Sequence, residues 1–279
     1  MFRWQLDEYL SLPYLFIKVL RANADKDVGL EEKIIFGAHP QQYSLVFRPL
    51  EAASQRNSVV FFVPGGGWRM GNPAVFRFMG RFFAALGFPT VLAGYRLAPT
   101  YQFPIQLEDT YAAFESGMAH LNRRGIAVKR IVLGGQSAGA QLVSLLAYNQ
   151  ERAFPERSLF SGLVVISGPL DFSVCQNRTM RQLLRDYLGN LPNREIADPI
   201  YYARPDLAMR VLCLHGERDP LVAVQNSWSF AGKLNQGATP HATVRIIPKG
   251  HHSDLVDLFL EDSADGQFLT NWLMQVDKG

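Results

Sequence analysis

A serine flanked by glycines lies near the middle of the chain, where residues 135–139 read Gly-Gln-Ser-Ala-Gly. The Gly-x-Ser-x-Gly pattern is typical of a nucleophile elbow, a sharp strand-to-helix turn that exposes a serine hydroxyl. By chance alone, the pattern would occur in about one chain in ten of this length. Here it follows the apolar stretch 131–134 and opens a helical pattern. We therefore predict that Ser137 is a nucleophile, rather than part of an ordinary glycine-rich turn.

A serine hydroxyl needs a positioned base, and the base needs a carboxylate that holds its ring. Asp219 follows the apolar stretch 210–214, where catalytic groups of parallel sheets collect. We predict it as the carboxylate, with Glu217 as its competitor and a helix cap as the simpler role for Asp219. The pair His251 and His252 follows the last apolar stretch, and one of the two is expected to be the base. Either histidine could instead be an ordinary surface residue.

Three consecutive glycines at 65–67 follow the apolar stretch 58–63. Without side chains, their backbone N–H groups can approach a developing oxyanion, and the N–H of Ala138 adds a donor from a helix start. A flexible turn is the simpler interpretation. The spacing lacks the patterns of dinucleotide and phosphate sites, and two adjacent histidines make a poor metal site. No cofactor or metal is expected.

Strand and helix patterns alternate around these residues. Apolar stretches predict strands at 33–36, 43–48, 58–63, 89–93, 130–133, 162–167, 210–214 and 243–247. Helical patterns lie at 74–86, 104–121, 138–148, 222–234 and 268–276. The first two strands flank a polar turn and should be antiparallel. The alternation predicts an α/β fold with a mostly parallel, eight-stranded sheet flanked by helices.

The chain has 279 residues, of which 48% are hydrophobic and 19% charged. This composition can bury a large core, so we expect one domain over residues 1–279. Residues 171–205 depart from the alternation and are interpreted as a short lid. The apolar segment within residues 1–30 is interpreted as an amphipathic helix that covers the core, with attachment to a membrane surface as the alternative.

Charge, cysteine content and the length of the apolar runs argue against several classes of protein. The 28 basic and 25 acidic residues are scattered, without the concentrated basic face that nucleic acid requires. The start lacks the pattern of a secretory signal, and no apolar stretch is long enough to span a bilayer. Cys213 lies inside an apolar run, which is typical of a buried thiol. We expect a cytoplasmic protein, with its oligomeric state open.

Residues 94–99 read Gly-Tyr-Arg-Leu-Ala-Pro and are followed by Phe-Pro at 103–104 and Glu-Asp at 108–109. With these motifs, the chain resembles hormone-sensitive-lipase-like carboxylesterases of the α/β-hydrolase superfamily over about residues 58–260. It is also similar to the related kynurenine formamidases and prenylcysteine methylesterases. The resemblance implies the α/β-hydrolase fold. The family usually has His before the three glycines, and Pro64 stands there in this chain.

The resemblance implies that Gly66 and Gly67 supply oxyanion donors together with Ala138. Aligning on the preceding glycine favours His251 as the base. Aligning on the His-x-Asp-aliphatic pattern that begins at His252 favours His252, which we predict.

The leading functional hypothesis is hydrolysis of small, short-chain carboxylic esters through an acyl-enzyme intermediate. Its first alternative is amide hydrolysis of the arylformamidase type, because nothing in the elbow distinguishes the two bonds. A non-catalytic receptor that binds a small molecule on the same scaffold is the second alternative, since a fold does not fix a function.

Overall fold

The computed structural model describes residues 30–51, 55–152, 155–205, 208–260 and 263–279. The predicted N-terminal helix falls in residues 1–29, outside the described residues. The strands are β1 (Leu30–Ile35), β2 (Tyr43–Arg48), β3 (Ser58–Val63), β4 (Thr90–Ala93), β5 (Arg130–Gln136), β6 (Phe160–Ile166), β7 (Arg210–Gly216) and β8 (Ala242–Ile247). The helices are α1 (Arg77–Ala85), α2 (Ile105–Arg123), α3 (Ala138–Tyr148), α4 (Arg178–Leu188), α5 (Pro199–Tyr202), α6 (Gln225–Leu234) and α7 (Ala264–Lys278). Further 3-10 turns lie at Pro155–Leu159, Phe172–Val174, Arg194–Ala197 and Ser253–Phe259.

The eight strands form one sheet in the order β1-β2-β4-β3-β5-β6-β7-β8. β1 pairs antiparallel with β2, and β2 pairs antiparallel with β4, whereas every later pair is parallel. The predicted fold class, a mostly parallel eight-stranded sheet flanked by helices, is therefore confirmed. Since parallel strands end at one edge, the loops that follow β3, β5, β7 and β8 meet at the same side of the sheet.

Both faces of the sheet are buried. On β3, Val59, Phe61 and Val63 point into one hydrophobic cluster, and Val60 and Phe62 point into the other. Helices α2, α3 and α6 cover the first face, whereas α1, α7 and the turn Ser253–Phe259 cover the second. Two covered faces explain why β3 reads as a continuous apolar run instead of an alternating one.

Some boundaries differ from the prediction. β5 continues past residue 133 because Gly134 and Gly135 still pair with both neighbouring strands, although glycines usually indicate a turn. α7 begins at Ala264 instead of residue 268, because the Ser263 side chain accepts a hydrogen bond from the Gly266 N–H and caps the helix earlier. The predicted buried thiol is confirmed: Cys213 is fully buried, which raises the pKa of its thiol to about 12.

Among the described residues, the structure contains no helix that is both long and apolar enough to cross a membrane.

Two helical glycines give opposite stability predictions. A Cβ on Gly80 of α1 would lie 2.2 Å from the ring of the buried Phe47, so we expect Gly80→Ala to destabilise the fold by about 1–3 kcal/mol. A Cβ on Gly232 of α6 would meet no atom within 4 Å, so Gly232→Ala should stabilise it by about 0.5–1 kcal/mol. Urea unfolding of both variants measures the sign of each change in the free energy of unfolding. Equal shifts would contradict this account of helix packing.

Candidate active site

Ser137 lies in a strained turn between β5 and α3, with φ 52° and ψ −122°. A residue with a side chain rarely adopts this left-handed region, and the strain costs about 1–3 kcal/mol. The turn needs glycine on both sides of the serine. A Cβ on Gly139 would lie 1.9 Å from the carbonyl oxygen of Val63, and one on Gly135 would lie 2.5 Å from the Gly139 carbonyl. The two flanking glycines therefore let the turn form.

The structure brings together three predicted residues from three loops. Nε2 of His252 lies 2.9 Å from Oγ of Ser137, and Nδ1 of His252 lies 2.7 Å from Oδ2 of Asp219. His252 follows β8, Ser137 follows β5 and Asp219 follows β7. The Asp219 side chain is fully buried, whereas Ser137 and His252 are 4% and 8% exposed. A continuous hydrogen-bonded chain thus runs from a buried carboxylate to the serine hydroxyl at the edge of the sheet.

Several donors surround the carboxylate of Asp219. Its Oδ1 accepts hydrogen bonds from the N–H groups of Leu221 and Val222, at 2.9 and 2.8 Å. Burial alone would raise the pKa of Asp219, but the charge of His252 and the hydrogen bonds from His215 and His252 lower that pKa below its ordinary value. An ionised carboxylate on Nδ1 of His252 favours the tautomer whose Nε2 lone pair faces the serine hydroxyl.

The two competing residues point elsewhere. Both the backbone N–H and Nδ1 of His251 lie within hydrogen-bond distance of Oδ2 of Asp254, at 2.9 and 3.0 Å. Oε2 of Glu217 accepts a hydrogen bond from the backbone N–H of Lys249, 2.8 Å away. Neither side chain joins the hydrogen-bonded chain that ends at Ser137.

His215 is a site residue that the sequence did not predict. It is fully buried at the end of β7, and its Nε2 donates to the carbonyl oxygen of Val222 at 2.9 Å and lies 3.5 Å from Oδ2 of Asp219. Its Nδ1 lies 2.8 Å from Oγ of Ser227. The signal was its position four residues before Asp219, at the end of the strand that Asp219 follows. The ring helps to keep the carboxylate ionised and in place.

The glycine loop forms a tight turn beside the serine. Gly66 and Gly67 have φ values of 129° and 57°, and the Gly66 carbonyl accepts hydrogen bonds from the N–H groups of Arg69 and Met70. A Cβ on the preceding glycine, Gly65, would lie 3.0 Å from the Cβ of the serine. The loop therefore lies directly against the elbow.

The predicted oxyanion donors have no acceptor among the described residues. Within the part of the chain that the structure describes, the backbone N–H groups of Gly66, Gly67 and Ala138 donate no hydrogen bond. Ala138 is buried, whereas Gly66 and Gly67 are partly exposed, and an N–H group without a protein acceptor is available to a ligand. These three donors come from the loop after β3 and from the first residue of α3.

The segment 171–205 lies over the glycine loop. A Cβ on Gly67 would touch the side chain of Leu183, 3.0 Å away on α4. The segment carries two short helices, α4 and α5, and the 3-10 turn Arg194–Ala197. Its contact with the loop gives it a direct influence on the shape of the site.

This segment also holds an unusual carboxyl group. Burial, together with the nearby Asp171 carboxylate, raises the pKa of Asp198 to about 7, although a hydrogen bond from the Phe172 N–H and the charge of Lys233 act in the opposite direction. Its Oδ1 is buried and has no hydrogen-bond partner among the described residues. Within those residues, no group of three His, Cys, Asp or Glu side chains could hold a metal ion.

The fold and this hydrogen-bonded chain define a member of the α/β-hydrolase superfamily, and the resemblance inferred from the sequence is confirmed. More specifically, the chain belongs to the BD-FAE family, whose sequence model matches residues 46–234. The match spans β2 to α6, and so includes the elbow, the glycine loop and Asp219.

Named relatives and a solved structure agree with this assignment. The chain is 27% identical to esterase LipC of Mycobacterium tuberculosis over 246 residues, which cover 81% of this chain and 60% of that protein. It is 34% identical to arylacetamide deacetylase of Oryctolagus cuniculus over 107 residues, 37% of this chain and 27% of that one. The chain therefore spans less than two thirds of either relative. Esterase B from Lactobacillus rhamnosis, inhibited with a C4-C4 tributyrin phosphonate, has the same fold, with a TM-score of 0.76 at 18% identity over 99% of this chain and 94% of that one.

The raised pKa of Asp198 predicts a pH-dependent stability. The folded state holds this proton more tightly than the unfolded chain, where the pKa of Asp is about 3.9. The resulting stabilisation is fully present below about pH 4 and is lost as the pH rises through about 7. We expect Asp198→Asn, which stays neutral, to raise the unfolding temperature relative to wild type at pH 8 and to change it much less at pH 4.5.

Thermal unfolding at the two pH values tests this. Glu195→Gln removes an exposed charge from the adjacent turn and is the matched control. The account is wrong if Asp198→Asn shifts the unfolding temperature equally at both pH values, or if Glu195→Gln reproduces its pH-dependent shift.

Proposed function

We propose that this protein is a serine hydrolase that cleaves small carboxylic esters through an acyl-enzyme intermediate, with Ser137, His252 and Asp219 as its catalytic triad. The hydrogen-bonded chain from Ser137 Oγ through His252 to Asp219 carries the proposal. The relationship to esterase LipC supports the choice of an ester bond.

In the proposed reaction, Oγ of Ser137 attacks the ester carbonyl carbon while Nε2 of His252 takes the hydroxyl proton. Collapse of the tetrahedral intermediate breaks the bond to the alcohol oxygen, which receives that proton from Nε2. Water then attacks the acyl-serine ester and gives a proton to Nε2 of His252. Collapse of this second intermediate breaks the bond between the acyl carbon and Oγ of Ser137, which takes the proton back from Nε2, and the carboxylic acid leaves. Asp219 holds the imidazole and stabilises its charged form throughout. This assignment keeps His252 as the base and leaves His251 outside the reaction.

We assign the oxyanion hole to the N–H groups of Gly66, Gly67 and Ala138. The absence of acceptors for them in the described part of the chain supports this assignment, and their fixed orientation would stabilise charge only where it develops in the transition state. Loss of one such donor costs about 10²- to 10³-fold in turnover in other enzymes.

We propose that segment 171–205 acts as the lid that limits substrate size, within one domain formed by the whole chain. The Leu183 side chain lies close to Gly67, and so to the oxyanion donors, where it would limit the length of the acyl chain. The C4-C4 phosphonate bound by esterase B is consistent with short acyl groups. A cytoplasmic location stays a prediction.

An amide is the second candidate substrate, because arylacetamide deacetylase is named for an amide. The same triad would attack an amide carbonyl and protonate the leaving nitrogen. The intact hydrogen-bonded chain disfavours a non-catalytic receptor.

Removal of triad members tests the mechanism. We expect Ser137→Ala to lower kcat on p-nitrophenyl acetate by about 10⁶-fold, and His252→Ala to lose nearly as much because triad residues act as a unit. His251→Ala should cost far less, since its ring bonds Asp254 instead. Comparable losses for His251→Ala and His252→Ala would overturn the choice of base.

Two neighbouring carboxylates, Asp219 and Glu217, test which side chain orients the base. Asp219→Asn should lower kcat by about 10⁴-fold, because the amide favours the wrong tautomer of the base. Glu217→Gln removes a neighbouring carboxylate that accepts a hydrogen bond from the Lys249 N–H and lies outside the chain from Ser137 to Asp219, so it should leave kcat nearly unchanged. The reverse order of losses would move the role to Glu217.

A substrate series tests acyl length and bond type. The kcat/KM for p-nitrophenyl esters should be highest from C2 to C4 and fall by at least about tenfold by C12, because methylenes that do not fit beneath the proposed lid are costly. Higher activity on emulsified long-chain lipids would refute the proposed lid. N-formylkynurenine, tested in parallel, reports the amide alternative, and labelling of Ser137 by a fluorophosphonate reports the nucleophile in either case.

A further inference from the structure

The glycine loop is anchored through the residue that follows it. Trp68 is fully buried, although its φ of 57° lies in the left-handed region that side chains disfavour. Its indole ring stacks on Tyr187 of α4, with ring centroids 4.3 Å apart and planes within 8°. Its carbonyl oxygen accepts a hydrogen bond from the N–H of Ala98, 2.9 Å away. The strained end of the loop is therefore held from several directions.

A single buried amide connects this anchor to the nucleophile helix. Gln141 lies on α3, one turn after the serine, and is fully buried. Its Oε1 accepts hydrogen bonds from Nε1 of Trp68 at 3.0 Å and from the hydroxyl of Tyr187 at 3.3 Å. Its Nε2 donates to the carbonyl oxygen of Ala197 at 2.7 Å. One side chain thus joins α3, the glycine loop, α4 and the turn Arg194–Ala197.

These bonds are costly to remove. Leaving a buried polar group without its hydrogen-bond partner costs about 1–3 kcal/mol of folding free energy. Removal of the Gln141 amide would take away a partner from three groups together: the Trp68 indole N–H, the Tyr187 hydroxyl and the Ala197 carbonyl. Pro64, at the other end of the loop, has neither an N–H nor a polar side chain to help order it. The Pro64 carbonyl oxygen accepts a long hydrogen bond from the Tyr95 hydroxyl, 3.4 Å away. The side-chain hydrogen bond from the loop to α3 is therefore made at the Trp68 end, by Gln141.

We propose that Gln141, Trp68 and Tyr187 are positioning residues, which together hold the N–H groups of Gly66 and Gly67 at a fixed distance from Ser137. This inference rests on the proposed function. None of the three touches the reacting atoms. They act by keeping the donors preorganised, so that no reorganisation is needed when charge develops on the carbonyl oxygen. Because Tyr187 belongs to segment 171–205, the same contacts join the lid to the oxyanion hole.

Kinetics of Gln141→Leu test the proposal. The variant keeps the volume of the side chain but cannot form its hydrogen bonds. We expect kcat on p-nitrophenyl butyrate to fall by about 10- to 10²-fold, less than for outright loss of a donor, with KM changed by less than about threefold. Affinity for an alkyl trifluoromethyl ketone, whose adduct with Ser137 carries an oxyanion, should fall by the same factor as kcat/KM.

Two further variants keep the test decisive. Trp68→Phe retains an aromatic ring but loses the indole N–H, and should reproduce both losses. If Gln141→Leu does not fold, Tyr187→Phe removes only a hydroxyl and preserves the stack, and a several-fold loss in kcat and in ketone affinity is expected from it. The Gly80→Ala variant is the control, because it lowers stability at a distance from the loop and should keep both values unchanged.

Failure of this inference and failure of the proposed function give different results. If Ser137→Ala abolishes turnover while folded Gln141→Leu keeps both kcat and ketone affinity, only the positioning role is refuted. An equal loss in Gly80→Ala would refute it as well, since general destabilisation would then explain the effect. If Ser137→Ala leaves turnover unchanged, the proposed function fails, and the positioning role fails with it.

Discussion

The strained backbone at Ser137 is the constraint on which the rest of this structure depends. A serine with φ near 52° is stable only where neighbouring chain segments leave it no alternative. β5 is paired on both sides by β3 and β6, and the N–H of Ser137 donates to the carbonyl oxygen of Ile166 on β6 at 2.7 Å. The close approach of Gly139 to Val63 then brings α3 against β3. All eleven residues of α3 are buried, so Ser137 lies at the start of a helix that is packed on every side.

Electrostatic interactions stabilise the buried carboxylate of Asp219. A carboxylate as buried as that of Asp219 would ordinarily become protonated, because burial disfavours charge. Here two backbone N–H groups and two histidine rings face it, so the negative charge persists inside the protein. His215 contributes from within β7 itself, whereas His252 arrives on the loop after β8. The charge of the carboxylate thus depends on the pairing of adjacent strands as much as on individual contacts.

Much of the fold could be predicted from the sequence, because parallel strands buried on both faces leave apolar runs that helical patterns separate. The sequence also identified Ser137, Asp219 and the histidine pair as candidates. It could not choose between His251 and His252 by spacing alone, since neighbours follow the same strand; the direction of each ring depends on how the loop turns toward Asp254. The role of Gln141 could not be predicted either. It is a polar residue in an apolar helical pattern, and its partners Trp68 and Tyr187 are distant in the sequence and meet it only in the folded protein.

The strand order has a stereochemical consequence. β3 lies on one side of β5, and β7 and β8 lie on the other, so the loop that carries Gly66 and the ring of His252 approach the serine from opposite directions. Under the proposed mechanism, the carbonyl oxygen must turn toward the first and the leaving oxygen toward the second. Attack then reaches only one face of the planar carbonyl group. The tetrahedral carbon would form with a single handedness, and esters that carry a stereocentre next to it would be turned over unequally as mirror images.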